Sequence, residues 1–386
     1  MRFSHRTPDD LSLNAIALAV EASPTPVLDL TQSNPTLCGF HYPSDILKGL
    51  SCTEVLTYDP QAFGTLKARQ VLADYLSSQS RKVDPQNLVL TASTSEAYSY
   101  LFKLLGNPGD AFMVPTPGYP LLDHLLHLEG LELIHYPFQV HPDWLVHLAE
   151  IESGITAQTK GLITVNPHNP TGAFLSETDQ QALLNTCEKH ALAYISDEVF
   201  SDFSYENKPK NLSHPNVLTF RLGGLSKSLG LPQLKLSWIE IQGPEKLVKE
   251  CKERLELIAD TYLSVNTPVQ VALEALLAFA PDIQNQIKER LLKNRKNLEK
   301  SLAELSTVKV WSAQGGWYAL VEVSLEGIRD EDLVLRLLKE QQVLVQPGGF
   351  YDFPTGCFLV LSLLPQIDIF ETAVKRLRRF FEGLKF

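Results

Sequence analysis

Between about Tyr58 and about Gln270 the sequence alternates short, unbroken apolar runs with amphipathic stretches. The runs are Leu88–Thr91, Phe112–Pro115, Leu133–Tyr136, Gly161–Val165, Ala193–Ser196, Leu218–Leu222 and Ser237–Ile241. They lack polar alternation, as expected of strands covered on both faces. Stretches such as Glu96–Leu105, Leu121–Glu129 and Ser176–His190 lie between several of them, and the last opens with Ser176 and Asp179 at capping-box spacing. Strand, helix, strand repeated in this way predicts a mostly parallel sheet with helices on both faces.

The flanking regions read differently. Pro244–Ala259 and Pro268–Leu302 have helical period, each with a proline near its start. A strand-like stretch (Gly316–Val323), a helix (Asp330–Gln341), strands at Val343–Gln346 and Cys357–Leu363, and a closing helix (Ile367–Leu384) then suggest a smaller α+β unit. The first ~50 residues, punctuated by Asn34-Pro35 and Pro43, read as a wandering segment that packs with it. A chain of 386 residues is too long for one ordinary core. The expected division is 1–50 (N-terminal segment), 51–280 (large domain) and 281–386 (small domain).

Composition narrows the function classes. With 34 Lys plus Arg against 45 Asp plus Glu, the net charge is −11, which argues against general nucleic-acid binding and against docking on anionic lipid. No apolar run reaches the ~18 residues of a membrane span. The opening MRFSHRTPDDLSLN lacks an apolar core, so a secretory signal is not expected. The five cysteines are scattered without a CxxC pair, which points to reduced thiols in a cytoplasmic protein and to no zinc or other metal site.

Polar residues cluster where apolar strands end, the place where doubly wound sheets bind ligands. These sites are Thr91-Ala-Ser93-Thr94-Ser95-Glu96-Ala97, Asn166-Pro-His168-Asn169-Pro170-Thr171-Gly172, Ser196-Asp197-Glu198 and Gly223-Gly224-Leu225-Ser226-Lys227. Taken singly each has an ordinary reading. Lys227 would be a solvated charge, Asp197 a turn residue, Asn169 part of a proline turn, and Ser93 to Ser95 a helix cap. Their conjunction, in this order and on one sheet, is what changes the odds.

Together the motifs NPHNPTG, SDEVF and GLSKSLGLPQLK resemble the class I/II aminotransferases, among the fold-type-I pyridoxal-phosphate enzymes. The similarity runs from about Gln32 to about Leu384, and the layout around Tyr58-Asp-Pro and Pro115-Thr-Pro-Gly-Tyr119-Pro120 also matches. It implies a large domain with a mostly parallel seven-stranded sheet between helices, plus a small α+β domain. It further implies a homodimer that binds pyridoxal 5′-phosphate and exchanges an amino group between an amino acid or small amine and a 2-keto acid.

Carried over by residue, Lys227 matches the lysine that bonds the cofactor aldehyde and then serves as base at the substrate α-carbon. Asp197 matches the carboxylate that pairs with the pyridine nitrogen, and Asn169 the amide on the ring oxygen. Tyr119 matches the aromatic stacked on the ring; a half-buried tyrosine beside a proline turn is its bland alternative. Ser93, Thr94 and Ser95 match a phosphate loop at a helix start. Lys235 matches a phosphate-binding arginine, without the bidentate fork. Tyr58 matches a tyrosine that reaches the neighbouring subunit's phosphate, and Ser264 and Asn266 lie in a stretch that approaches the partner's site.

Four positions depart from the family pattern. Gly224 stands where many relatives place a serine hydroxyl on the phosphate, and Lys235 replaces arginine. Phe200 stands where a tyrosine hydroxyl would reach the ring oxygen. Val360, in Phe358-Leu359-Val360-Leu361-Ser362, occupies the place of the arginine that forks onto the substrate carboxylate. Either another cation has moved in or the substrate has no free α-carboxylate there; backbone N–H groups near Asn34 or in Pro347-Gly348-Gly349 are further candidates to contribute. The missing fork raises a rival within the same chemistry: a lyase (C–S β-elimination), decarboxylase or synthase. A ligand-sensing transcription regulator is a second rival, disfavoured because the phosphate-side motifs begin by Tyr58 and the charge is −11.

Overall fold

The computed structural model describes residues 3–79, 82–140, 144–206, 212–324 and 327–384. All seven expected strands form and join one sheet. In spatial order they are Leu88–Thr91, Ser237–Gln242, Thr219–Gly224, Ala193–Asp197, Thr159–Val165, Ala111–Thr116 and Glu132–Val140, followed by an eighth, Trp144–Val146. Ser237–Gln242 is antiparallel to both its neighbours, and Trp144–Val146 is antiparallel to Glu132–Val140; the other pairings are parallel. The sheet is thus one strand wider than the seven expected. Three residues at an edge are too short to carry a period that sequence reading can detect.

The unbroken apolar runs are explained by burial on both faces. Ile195 and Ile163 pack with Phe112, Val114 and the helices Thr94–Leu105 and Glu245–Tyr262. Their neighbours Tyr194 and Leu162 pack with Met113 on the opposite face, against Leu183, Leu184 and Cys187 of the helix Glu177–His190. That helix is capped as its sequence predicts: Ser176 Oγ accepts from Asp179 N at 3.0 Å.

A second, four-stranded sheet has the order Val308–Val310, Tyr318–Val323, Phe358–Ser362, Gln346–Pro347, all antiparallel. Two expectations are refined here. The stretch 343–346 divides between sheets: Val343–Leu344 pairs in parallel with Leu28–Asp29, whereas Gln346–Pro347 pairs with Val360 and Leu359. The first of these pairings brings the N-terminal segment onto the C-terminal part of the chain. The helical stretch from Pro268 is two helices, Thr267–Ala278 and Ala280–Leu302. They break at Phe279 because Pro281 offers no N–H to the turn before it.

Candidate active site

The carboxyl ends of three adjacent strands deliver the chemistry. Asp197 ends Ala193–Asp197, in register with Val165 on one side and Leu222 on the other. The loop after Val165 carries Asn169. It is fixed to the sheet by Asn166 N donating to the Asp197 carbonyl at 2.8 Å, and by Leu175 N donating to Asn166 Oδ1 at 3.0 Å. It is fixed to the C-terminal part through Gln314 N and Gly315 N, which both donate to the Gly172 carbonyl at 2.9 Å. Gly172 has φ +70°, and a Cβ there would lie 2.4 Å from the Gly315 carbonyl oxygen, so only glycine allows the approach. Lys227 sits in the short helix Leu225–Ser228 that directly follows the strand Thr219–Gly224.

These ends open on a small cavity of ≈80 Å³. Thr94, Tyr119, Asn169, Asp197, Phe200 and Lys227 all line it. Asp197 is 4% exposed; its carboxylate accepts from the Tyr98 hydroxyl at 3.0 Å and from Val199 N at 3.1 Å. Burial outweighs those donors and raises its carboxyl to about 6. Burial likewise brings the Lys227 amine down to about 8, against the pull of Asp197. Its Nζ lies 4.8 Å from the Trp317 ring centre and 5.2 Å from that of Phe200. Burial thus displaces each group toward its neutral form. His168, two positions past Asn166, is driven down to about 3 by burial and is neutral; its Nδ1 lies 2.9 Å from Thr171 Oγ1.

Other expected residues fall outside the cavity lining. Ser93 is the N-cap of Thr94–Leu105, its hydroxyl accepting from Glu96 N at 3.1 Å, and Ser95 is half-buried in the first turn. Lys235 is exposed and left-handed at φ +52°. Tyr58 is 74% exposed and borders a separate hollow beside Ser264. Ser264 Oγ donates to Glu96 Oε2 at 2.6 Å, and Asn266 caps the helix Thr267–Ala278. Val360 is fully buried in an apolar cluster with Leu320, Tyr351 and Phe358. Gly349 N, one of the candidate substitutes, already donates to Asp330 Oδ2 at 2.6 Å.

Sequence reading missed Ser237 and Tyr318. Both line the cavity, but each lies on a strand that showed no polar motif. A larger trough bordered by Asp84, Glu240 and Gly243 lies at the amino ends of the parallel strands, away from this chemistry.

The residues present fit a pyridine aldehyde phosphate. A buried carboxylate suits a ring nitrogen, and a partly neutral amine suits an aldehyde. Asn169 Oδ1 is buried without a hydrogen-bond partner among the described residues, so that oxygen is uncommitted. The profile of the family described as Aminotransferase class I and II matches residues 44–360. The chain belongs to that family and is a pyridoxal-phosphate-dependent aminotransferase. It is 30% identical over 380 residues to alanine aminotransferase of Mycobacterium tuberculosis, covering 94% of this chain and 87% of the relative. It is 26% identical over 382 residues to a glutamate-pyruvate aminotransferase of Escherichia coli, covering 95% and 93%. Its fold superimposes on alanine aminotransferase from Pyrococcus furiosus with a TM-score of 0.89 at 26% identity, covering 99% of this chain and 100% of that one.

Proposed function

We propose that Lys227 carries the covalent and proton-moving work, with Asp197 on the ring nitrogen, Asn169 on the ring oxygen and Tyr119 against the ring face. When bound, the cofactor's aldehyde takes up an amine, and its ring accepts the electron pair left as a proton leaves the adjacent carbon. Lys227, near pH 8 in its titration, gives a useful neutral fraction at neutral pH and can accept and return that proton. Asp197, ionised beside a protonated ring nitrogen, keeps that nitrogen charged. Thr94 and the helix start behind it support the phosphate, with Ser93, Ser95 and Lys235 as outer contributors. The observation that carries this reading is the shared cavity of Asp197, Asn169 and Lys227.

The relatives are named for alanine, glutamate and pyruvate, but Val360, buried in an apolar cluster outside the cavity lining, stands where a carboxylate fork is expected. We propose a donor amine that presents no carboxylate at Val360. Mixing the purified chain with a panel of amines, and assaying for keto product together with the aminated cofactor, tests the activity. Release of pyruvate and ammonia would favour the lyase instead.

Two further readings belong to the same proposal. The chain acts as a homodimer in which Tyr58 reaches its neighbour's phosphate. Tyr58, Leu56 and Tyr262 are all exposed, as suits residues awaiting a second copy. It works in the cytoplasm, supported by five free cysteines. Among the described residues no helix is long and apolar enough to cross a membrane. The division into 1–50, 51–280 and 281–386 is proposed with it.

A further inference from the structure

Gly224 and Ser237 face each other across the antiparallel pair formed by Thr219–Gly224 and Ser237–Gln242. A Cβ on Gly224 would lie 2.3 Å from Ser237 Oγ and 3.1 Å from Ser237 Cβ. Gly224 is extended at φ −177°, so the backbone does not demand glycine; the hydroxyl across the ladder does. Both residues line the cavity, together with Thr94, Ser226 and Lys227. Ser237 is 1% exposed, and its hydroxyl makes no protein hydrogen bond among the described residues while the residue lines the cavity. The helix Thr94–Leu105 begins at the same cavity. Its Glu96 and Ala97 N–H groups are taken by Ser93, while those of Thr94 and Ser95 are not engaged within the described residues. Free N–H groups at a helix start favour an anion.

We propose that Ser237 is the hydroxyl that binds the cofactor's phosphate, and that position 224 is glycine to make room for it. The strand pair thus supplies from 237 the hydroxyl that the family pattern places at 224. This inference rests on the aminotransferase reading, and the test separates the two. The full chain, stripped of cofactor, is titrated with pyridoxal phosphate and with phosphate-free pyridoxal, and binding is followed by absorbance.

Ser237→Ala is expected to weaken pyridoxal phosphate about tenfold, the worth of a hydrogen bond to a charged group, and to leave pyridoxal unchanged. Gly224→Ser alone is expected to weaken pyridoxal phosphate at least as much, since two side chains then compete for one space. Gly224→Ser combined with Ser237→Gly moves the hydroxyl back across the ladder and is expected to restore binding to within about threefold of the original. Equal loss for both ligands, or no loss for either, in Ser237→Ala overturns the role of Ser237 while the aminotransferase reading stands. Failure of the unaltered chain to bind pyridoxal phosphate overturns both.

Discussion

The cavity and the apolar cluster that adjoins it through Tyr318 obey opposite rules. On the sheet side, Asp197 and Lys227 bring ionisable groups into a dry cavity, and both are displaced from their ordinary values in the direction burial demands. On the side of the four-stranded sheet, Val360, Leu320, Tyr351 and Phe358 form an apolar cluster, and Tyr318 connects that cluster to the cavity. Displaced titratable groups mark where chemistry is done. The apolar cluster offers no charge to a substrate, which is the basis of the donor proposal. The contrast separates the proposed cofactor chemistry from the proposed change in substrate recognition, and each can be tested on its own.

The sharpest way to break this contrast is at Lys227. Lys227→Ala removes both the amine that bonds the cofactor and the base, and should lower kcat by about 10⁴-fold. Borohydride reduction of the unaltered enzyme followed by peptide mapping should place the label on Lys227. Retained turnover, or a label elsewhere, would mean that the charged cavity has been misread.

Asp197→Asn should cost about 10²- to 10³-fold in kcat, because a neutral amide does not keep the ring nitrogen protonated. Its effect on folding should have the opposite sign. The folded state holds the Asp197 proton more tightly than the unfolded chain, so the cost of ionising it is present above about pH 6 and absent well below. Asn removes that cost. The cofactor-free variant should therefore melt at or above the parent at pH 8, and the gain should shrink as pH falls through about 6. A lower melting temperature at pH 8 would show that Asp197 is held by its hydrogen bonds from Tyr98 and Val199 more than it is penalised by burial.

The apolar cluster predicts the donor profile. Leaving one partner of a buried charge pair unmatched costs ~2–5 kcal/mol, which is about 30-fold or more in kcat/KM. Aspartate, alanine and aromatic amino acids, measured against 2-oxoglutarate, should fall below the best amine of a panel by at least that factor. Comparable turnover on any of them would return a carboxylate to the Val360 side and dissolve the contrast.

Much of the sheet side could be read in the sequence because its residues are sequence-local. Lys227, Asp197 and Asn169 each follow an unbroken apolar strand within a few positions, and the two-faced burial of Tyr194 and Ile195 explains why those strands stand out. What escaped reading depends on contacts between distant segments. Ser237 looks like the first residue of a strand until its register with Gly224 is known. Tyr318 reaches the cavity only because the Asn169 loop is tied to Gln314 and Gly315. The edge strand Trp144–Val146 and the break at Phe279 are similarly decided by packing and by one proline.

The smallest expected effect lies beside Tyr318, where the cavity and the cluster adjoin. Phe200 lines the cavity and meets Trp317 and Tyr318 edge-on, with centroids 5.4 and 6.1 Å away. Its ring also lies 5.2 Å from Lys227 Nζ. An aromatic face favours the ammonium over the neutral amine, so it works against the burial that brings Lys227 down to about 8. Phe200→Leu keeps the wall dry and removes the ring. Trp317, 4.8 Å from the same nitrogen, remains, so only part of the cation–π support is lost. At ~0.5–1 kcal/mol for one partner, the Lys227 midpoint should fall by about half a unit. The readout is the rate at which cofactor-free enzyme captures pyridoxal phosphate, measured against pH. That rate follows the neutral amine, so it should rise with pH through about 8 in the parent and reach its plateau at lower pH in Phe200→Leu. A midpoint that stays or moves upward would mean that the ring serves only as apolar packing against Lys227.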